Sequence, residues 1–322
     1  MPDATGILSK MGTKDVAAWS TAYAAVDELV PFDTETITHG YSRLVDDSLT
    51  GSAGRSPSKQ GVQAISGQTV HRLDYNNFDS IFETAFGAVA GRVFTFPSPE
   101  DNLLKYLWLE FEKQTSRWRF GASKITKITI AGEKDGIVML TLDWLCRDID
   151  KNATAFPAIS TPGARNLVRF EDLTARFETI ASGAPGAGDE KRLESFELTM
   201  DRVLVEDDYA SKSAVATEEK FPLEPIPNGF RVNELKIKLP RYDSDADWMA
   251  WKDADTPIQA DLAFSAGGET FVLDLPDMRI TEGFDSPIGG PERIQNEGTL
   301  EVNKPESTNP LYTGGEVRAT FT

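Results

Sequence analysis

Residues 41–87 read YSRLVDDSLTGSAGRSPSKQGVQAISGQTVHRLDYNNFDSIFETAFG, an order of elements around which the rest of the chain is arranged. The first residues and the later segment VQAISGQTVHRL are typical of two strands. Between them, a Gly-, Ser- and Pro-rich segment predicts a loop. A loop of this length inside a compact domain is usually functional or disordered, so we treat it as a candidate for function.

A short amphipathic helix follows the second strand. Its apolar side chains fall at the spacing of one helical face: Phe78, Ile81, Phe82, Ala85 and Phe86. Asn76 or Asn77 is positioned to cap the N-terminus, and Gly87 is positioned to end the helix. The pattern predicts a helix that packs on one side of a β-sandwich, with Phe78, Ile81, Phe82 and Phe86 in the core.

The same order returns in the second half of the chain. The segment SFELTMDRVLV predicts a strand, a polar loop follows, and FRVNELKIKL predicts the returning strand. Next, RYDSDADWMAWKDAD predicts a second short helix whose core residues are Trp248 and Trp251. Arg43 matches Arg202 and Tyr75 matches Tyr242, at offsets of 159 and 167 residues. We interpret this as a duplication; two unrelated sandwiches in tandem are the alternative.

These elements predict a mainly β protein of two tandem β-sandwich or barrel domains, each with a short flanking α-helix and a long loop. Residues 1–30 carry few strong apolar positions and predict an N-terminal arm, partly extended and partly mobile. We place the first β domain at 31–155 and the second at 156–322. The boundary falls in NATAFPAISTPGA, whose composition is that of a linker.

The charge of the chain is strongly negative and unevenly distributed. The net charge is −18; residues 1–160 hold 16 basic and 20 acidic residues, whereas residues 161–322 hold 17 and 31. This balance argues against binding nucleic acid through its phosphates, but not against enclosing DNA, since a like-charged wall repels without binding. No apolar run predicts a membrane span, and the N-terminus lacks a secretory h-region, so we expect synthesis inside the cell.

Residues that could carry catalysis are scarce. Cys146 is the single cysteine, and its apolar strand context predicts a buried, unreactive thiol. His39 and His71 are too few for most acid–base or metal designs. The segment DSDADWMAWKDAD has Asp247 and Ala254 where a calcium-binding EF-hand loop needs Gly and Glu. We therefore predict no enzyme, no catalytic residue, no metal site and no cofactor.

The order of elements resembles the major tail tube proteins of long-tailed, siphophage-type bacteriophages. The matching segments are a polar arm, a proline-led strand, a long loop, a return strand and an aromatic helix: GTKDVAAWST, VPFDTETIT, SRLVDDSLTGSAGRSPSKQG, VQAISGQTV and FDSIFETAFG. The later segments SFELTMDRVLVEDDY, FRVNELKIKLP and ETFVLDLPDMRIT are also similar to this family. The chain departs from simple members in carrying a duplicated tube domain and no evident immunoglobulin-like decoration.

The resemblance implies a structural virion protein that polymerises as stacked rings into the tail tube. The tube encloses the tape measure protein and conducts DNA during ejection, without specific binding. Simple members form hexameric rings, so two units in one chain imply homotrimers with pseudo-sixfold symmetry, or alternatively hexamers. The implied partners are further copies, the tape measure protein, the tail terminator and the baseplate or tip proteins, with no membrane. The implied location is the virion tail, after synthesis in the bacterial host cytoplasm.

The resemblance also assigns candidate residues. The loops 44–63 and 206–226 would contact the neighbouring ring, through Asp46, Asp47, Arg55, Lys59, Asp207, Asp208, Glu218, Glu219 and Lys220. Acidic residues of the strands that line the lumen would keep DNA from sticking, and the candidates are Glu197, Asp201 and Glu234. The alternative function is a carbohydrate-binding or adhesive β-sandwich module, for which Tyr209 and Tyr312 are the candidate loop aromatics.

Overall fold

The chain is described by a computed structural model that covers most of its length. The described residues are 9–21, 23–44, 58–96, 105–113, 116–151, 156–159, 165–205, 222–240, 246–285, 296–306, 308–309, 311 and 315–322. Within them, the strands belong to one large antiparallel sheet, which confirms the predicted mainly β class.

Two groups of elements follow one another along the chain. The first group is β1 (Lys10–Val16), β2 (Glu28–Val30), β3 (Thr34–Glu35), β4 (Thr38–Leu44), β5 (Lys59–Arg72), α1 (Asp79–Phe86), β6 (Ala88–Ala90), β7 (Val93–Thr95), β8 (Tyr106–Lys113), β9 (Ser116–Glu133), β10 (Met139–Cys146) and β11 (Ile149–Asp150). The second group is β12 (Leu173–Thr179), β13 (Ser195–Asp201), β14 (Val232–Leu239), α2 (Ala246–Asp253), β15 (Ile258–Ala266), β16 (Glu269–Gly283), β17 (Asn296–Val302) and β18 (Arg318–Phe321).

The two groups repeat the same strand order in space. In the first, β1 pairs with β8, and the sheet continues through β9, β10 and β5 to β4. In the second, β12 pairs with β15, and the sheet continues through β16, β17 and β14 to β13. We call these the first and second units. Because each unit reproduces the pairings of the other, the repeat is present in topology as well as in sequence.

A continuous β-ladder joins the two units. Residues 116–123 of β9 pair with β8, whereas residues 127–133 pair with β13, from Lys127 opposite Asp201 to Glu133 opposite Ser195. We call this ladder the intrachain joint. Since the sheet runs through the joint, the boundary expected near residue 155 separates two repeats but does not interrupt the sheet.

The first helix lies at the intrachain joint and shares its core with the second unit. The Phe82 ring lies 6.0 Å from the Phe271 ring and 5.0 Å from the Phe321 ring, both in the second unit. The buried Arg202 side chain donates to the carbonyl oxygens of Thr84 (3.2 Å) and Ile125 (3.3 Å). In addition, β18 pairs with β7, which ties the end of the chain to the first unit. The helix therefore holds the two units together.

The ends of α1 show one correct expectation and one wrong one. Gly87 ends the helix in the left-handed conformation, at φ 88°, and its N–H donates to the Glu83 carbonyl oxygen. Asn76 and Asn77 do not cap the N-terminus: Phe78 occupies the N-cap position, with no side-chain cap hydrogen bond. The backbone N–H groups of both asparagines donate to the Asp74 carboxylate, at 3.0 and 2.9 Å. That carboxylate is wholly buried, so it stabilises the turn before the helix instead.

The N-terminal segment is part of the sheet rather than only an arm. Strand β1 pairs with β8 along its whole length, from Lys10 opposite Glu112 to Val16 opposite Tyr106. Strand β2 then pairs with β1. The two α-helices in the described part of the chain have eight residues each, and no described helix is long and apolar enough to cross a membrane.

Candidate assembly surface

Each unit has a sheet edge next to the equivalent of the intrachain joint that the other unit does not cover. In the first unit, residues 38–41 of β4 pair with β5 on one side, and no described strand lies on the other side. In the second unit, β15 pairs with β16 only as far as Met278. Residues 279–283 therefore have β17 as their single strand partner among the described residues. Open edges of this kind are ready templates for pairing with another chain.

The two open edges correspond to the two strands of the intrachain joint. Strand β4 of the first unit occupies the place of β13, and residues 279–283 of β16 occupy the place of residues 127–133 of β9. A second chain could therefore place its β4 against β16 of the first, as β13 lies against β9. This contact is head-to-tail, because it uses a different edge on each partner.

A polar face runs across both units on the side of the sheet opposite the core. One row of neighbouring residues crosses β10, β9, β13, β14 and β17: Thr141, Thr129, Thr199, Glu234 and Glu301. The next row along the same strands is Met139, Ala131, Glu197, Lys236 and Thr299. The face is concave, with an open depression of about 960 Å³ at the joint.

The lumen candidates lie on this polar face, but they are not isolated negative charges. The Lys236 ammonium lies 2.9 Å from the Glu234 carboxylate and 3.8 Å from that of Glu197. The hydrogen bond to Glu234 raises the pKa of Lys236 above its ordinary value. Asp201 accepts a hydrogen bond from the Val203 backbone N–H (2.8 Å), so its carboxylate also shapes the chain after β13. The alternation of β14 places Lys236 on the same outward face as Glu234, but Lys236 was not among the lumen candidates, which were acidic residues only.

Most of the residues expected to contact a neighbouring ring lie outside the described residues. These are Asp46, Asp47, Arg55, Asp207, Asp208, Glu218, Glu219 and Lys220. Lys59 is the first residue of β5, with its backbone opposite Leu44. The base of the second loop is closed by hydrogen bonds between Val205 N–H and the Ile226 carbonyl oxygen and between Asn228 N–H and the Val203 carbonyl oxygen, each 2.8 Å.

The chain returning from the second loop is anchored on the first unit. The Trp19 indole N–H donates to the Pro222 carbonyl oxygen (3.0 Å). The wholly buried Lys124 donates to the Pro225 carbonyl oxygen (2.8 Å), and the Tyr106 hydroxyl donates to Glu224. Burial and this carboxylate raise the pKa of Tyr106. A buried ammonium without such partners would be costly, so these contacts hold the base of the second loop against the first unit.

The helix residues predicted for the core are placed as follows. Phe78, Ile81, Phe82, Phe86 and Trp248 are buried. Trp251 is partly buried, and its ring lies 5.1 Å from that of Trp248. The apolar face of α1 contacts both units, because Phe82 also packs against Phe271 and Phe321 of the second unit. Sequence periodicity identified these residues but could not identify what they pack against.

The buried titratable groups are structural. Both ring nitrogens of His71 lie within hydrogen-bond distance of oxygens, at 2.7 Å from the Pro31 carbonyl and 2.8 Å from the Thr69 hydroxyl. Burial lowers the pKa of His71 to about 4. Burial raises the pKa of the Cys146 thiol to about 12. No group of three metal-ligating side chains comes together in the part of the chain that the structure describes. Tyr209 and Tyr312 lie outside that part.

The described residues form a mainly β protein with open sheet edges. Comparison with known families gives its place: a family model described as phage tail tube protein matches residues 6–304. The chain therefore belongs to the phage tail tube proteins, a family of structural proteins rather than of enzymes. A search of curated protein sequences found no match. Membership implies self-assembly into a tube and a place in the virion tail.

Proposed function

We propose that this protein forms head-to-tail rings that stack into a tail tube, which encloses the tape measure protein and conducts DNA during ejection. The observation that carries the proposal is the intrachain joint. It pairs β9 with β13. The equivalents of these two strands, residues 279–283 of β16 and strand β4, have no partner of this kind among the described residues. A ring in which β16 pairs with the next β4 would cover both of these open edges.

The duplication sets the expected number of chains. Each protomer contributes two units, so three protomers would place six units around the ring with pseudo-sixfold symmetry. A hexamer of whole chains is the alternative. Both rings use the same contact, and they differ in the angle between neighbouring units. The intrachain joint favours the trimer, since one chain already supplies two adjacent units.

The polar face supplies the lumen wall in this arrangement. An open depression lies on it at the joint, and threonines and paired charges cover it, a surface that we expect to stay hydrated. Glu197 and Glu234 flank Lys236, so the wall carries alternating charges at this point rather than a continuous negative strip. The mixed wall would give passing DNA neither a cluster of cations to bind nor a strong barrier.

The two long loops supply contacts between rings. The strands that precede the loops 44–63 and 206–226, β4 and β13, occupy equivalent places in their units, so we expect both loops to make the same kind of contact. They would reach the adjacent ring of the stack, with the tail terminator and the baseplate or tip proteins meeting the two ends of the tube.

Electron microscopy and native mass spectrometry of the purified protein test this function. We expect rings or tubes in micrographs and a species of three copies of the 35.4-kDa chain in the mass spectrum. A species of six copies would keep the tube and refute the trimer. A chain that stays monomeric over the micromolar range and binds glycans would refute the tube and support the adhesive module.

A further inference from the structure

Beside the intrachain joint, helix α1 contacts the second unit. The equivalent face of α2 is exposed to solvent. Phe82 of α1 lies against Phe271 and Phe321 of the following unit. If the next chain continues the sheet as the second unit does, α2 will meet the first unit of that chain in the same way. The residues at this second contact can be read from the two repeats.

The helices align from their first residues. Helix α1 begins at Asp79 and α2 at Ala246, which matches the buried Ile81 with the buried Trp248. The same alignment places Met249 in the position of Phe82. It also places Asp253 in the position of Phe86. Met249 has 44% of its surface exposed, and Asp253 is exposed, so the face that α1 buries in the joint is open to solvent in α2.

The strands on the other side align through their pairing. Phe111 lies opposite Trp118 in the hairpin β8–β9, as Phe264 lies opposite Phe271 in β15–β16. Trp118 is therefore the counterpart of Phe271.

Two ammonium groups lie over the Trp118 ring: that of Lys113 on β8, 3.8 Å from its centroid, and that of Lys151, whose place follows from the neighbouring strands. Phe321 of β18 lies opposite Phe271, and continuing β11 by one residue places Lys151 opposite Trp118. The distances agree: the Phe321 ring lies 4.5 Å from the Phe271 ring, and the Lys151 ammonium lies 4.5 Å from the Trp118 ring.

We propose that α2 of one protomer packs on β9 of the next, with Met249 against Trp118 and Asp253 beside Lys151. This contact rests on the proposed ring, whose order it specifies. The four corresponding positions within the chain are all phenylalanine: Phe82 lies against Phe271 and Phe321, while Phe86, one turn further along α1, stacks on Phe96 of its own unit. Between chains, two of the four positions carry opposite charges. The occupant is a second copy of this chain, because the acidic helix face and the basic cover of Trp118 are complementary and continue the edge formed by β16 and β4.

The exchange of aromatic for charged residues has a physical reason. The intrachain joint forms during folding and never faces water, so it can bury four phenylalanines. The contact between chains must stay soluble until rings assemble, and an exposed patch of four aromatic rings would promote aggregation. A methionine keeps a favourable contact with an aromatic ring, while the Asp and Lys keep the free surface hydrated.

Cross-linking between separately labelled chains tests the contact. One chain carries Met249→Cys, a second carries Trp118→Cys, and a short bismaleimide joins them; the native Cys146 is wholly buried. We expect a covalent dimer only in the mixture. Asp247→Cys is the matched control, because Asp247 lies on another face of α2, 2.9 Å from Lys191 of its own chain. If Trp118→Cys does not fold, the exposed Lys151→Cys replaces it.

Charge reversal gives a second measurement. Asp253→Lys or Lys151→Asp alone is expected to raise the protein concentration needed for assembly about two- to fivefold, the range of one exposed ion pair. The double reversal is expected to restore it. Rings in micrographs without the Met249–Trp118 cross-link would overturn this contact and leave the proposed tube standing. Absence of rings at any concentration would overturn both.

Discussion

Phe82 and Met249 occupy the same position in the two helices. We expect truncation of Phe82 to destabilise the chain, and truncation of Met249 to weaken ring assembly instead. Phe82 is 1% exposed and lies against the rings of Phe86, Phe94, Phe271 and Phe321. Phe82→Ala removes those contacts and leaves a cavity between the units. The expected cost is about 3–5 kcal/mol of unfolding free energy, or two to three and a half orders of magnitude in the folding equilibrium.

Met249→Ala is the matched control within the same fold. Its side chain is 44% exposed, so the monomer should lose less than about 0.5 kcal/mol. If the ring contact is correct, this variant will instead assemble less readily. The pair therefore separates the stability of the chain from the stability of the ring.

Urea denaturation of the monomeric protein measures both variants. Tryptophan fluorescence and far-ultraviolet circular dichroism should report one coincident transition in the parent chain, because the sheet and the core are shared by the units. Phe82→Ala should shift that whole transition. Two separate transitions, with only the first unit destabilised by Phe82→Ala, would refute the shared core. A loss below about 1 kcal/mol would refute the role of Phe82 in it.

Three further predictions concern other parts of the chain. Gly121→Ala should lower the free energy of unfolding, measured in urea, by about 1–3 kcal/mol, because a Cβ there would clash with the Asp148 carboxylate. Gly188→Ala is the control and should lower it little, since the space around Gly188 is open. Equal losses in the two variants would contradict this packing. Burial holds the pKa of His71 at about 4 in the folded state, against 6.5 for an unperturbed histidine. Between these two pH values the unfolded chain binds a proton that the folded chain does not. The free energy of unfolding should therefore fall by about 3 kcal/mol as the pH drops from about 6.5 to 4. His71→Gln should remove that part of the slope, and an unchanged slope would assign it to other groups. Deletion of residues 52–57 should leave rings intact but prevent their stacking in micrographs; unchanged tubes would remove these residues from the contact between rings.

The local pattern of the sequence was sufficient for several features. The spacing of apolar residues before Gly87 predicted α1, and the segment SFELTMDRVLV was correctly predicted as a strand, in which the alternating Phe196, Leu198 and Met200 are buried. The order of strand, long loop, strand and helix predicted the tail tube family, which the family match confirms. These features depend on residues close together in the chain, where periodicity and turn chemistry determine the outcome.

Contacts between distant residues could not be predicted in this way. Nothing in the alternation of β9 or β13 specifies that residues 127–133 and 195–201 pair, because any strand with one apolar face fits the same pattern. The expected Asn caps were wrong for a related reason: Asp74, buried by distant parts of the chain, accepts from both asparagine backbones and from the Asn77 side chain, and the helix begins after Phe78. The contact between Lys236 and Glu197 likewise could not be predicted, because it depends on the pairing of β13 with β14.

The sequence by itself thus determined the mainly β class and the tail tube family, since these follow from short-range patterns along the chain. The tertiary structure alone decided that the units share one sheet, that Phe82 lies between them, and which two edges remain open. Each of those facts depends on a choice of pairing partner among many strands of similar pattern. That choice is made by the packing of the whole core, to which residues far apart in the sequence contribute together.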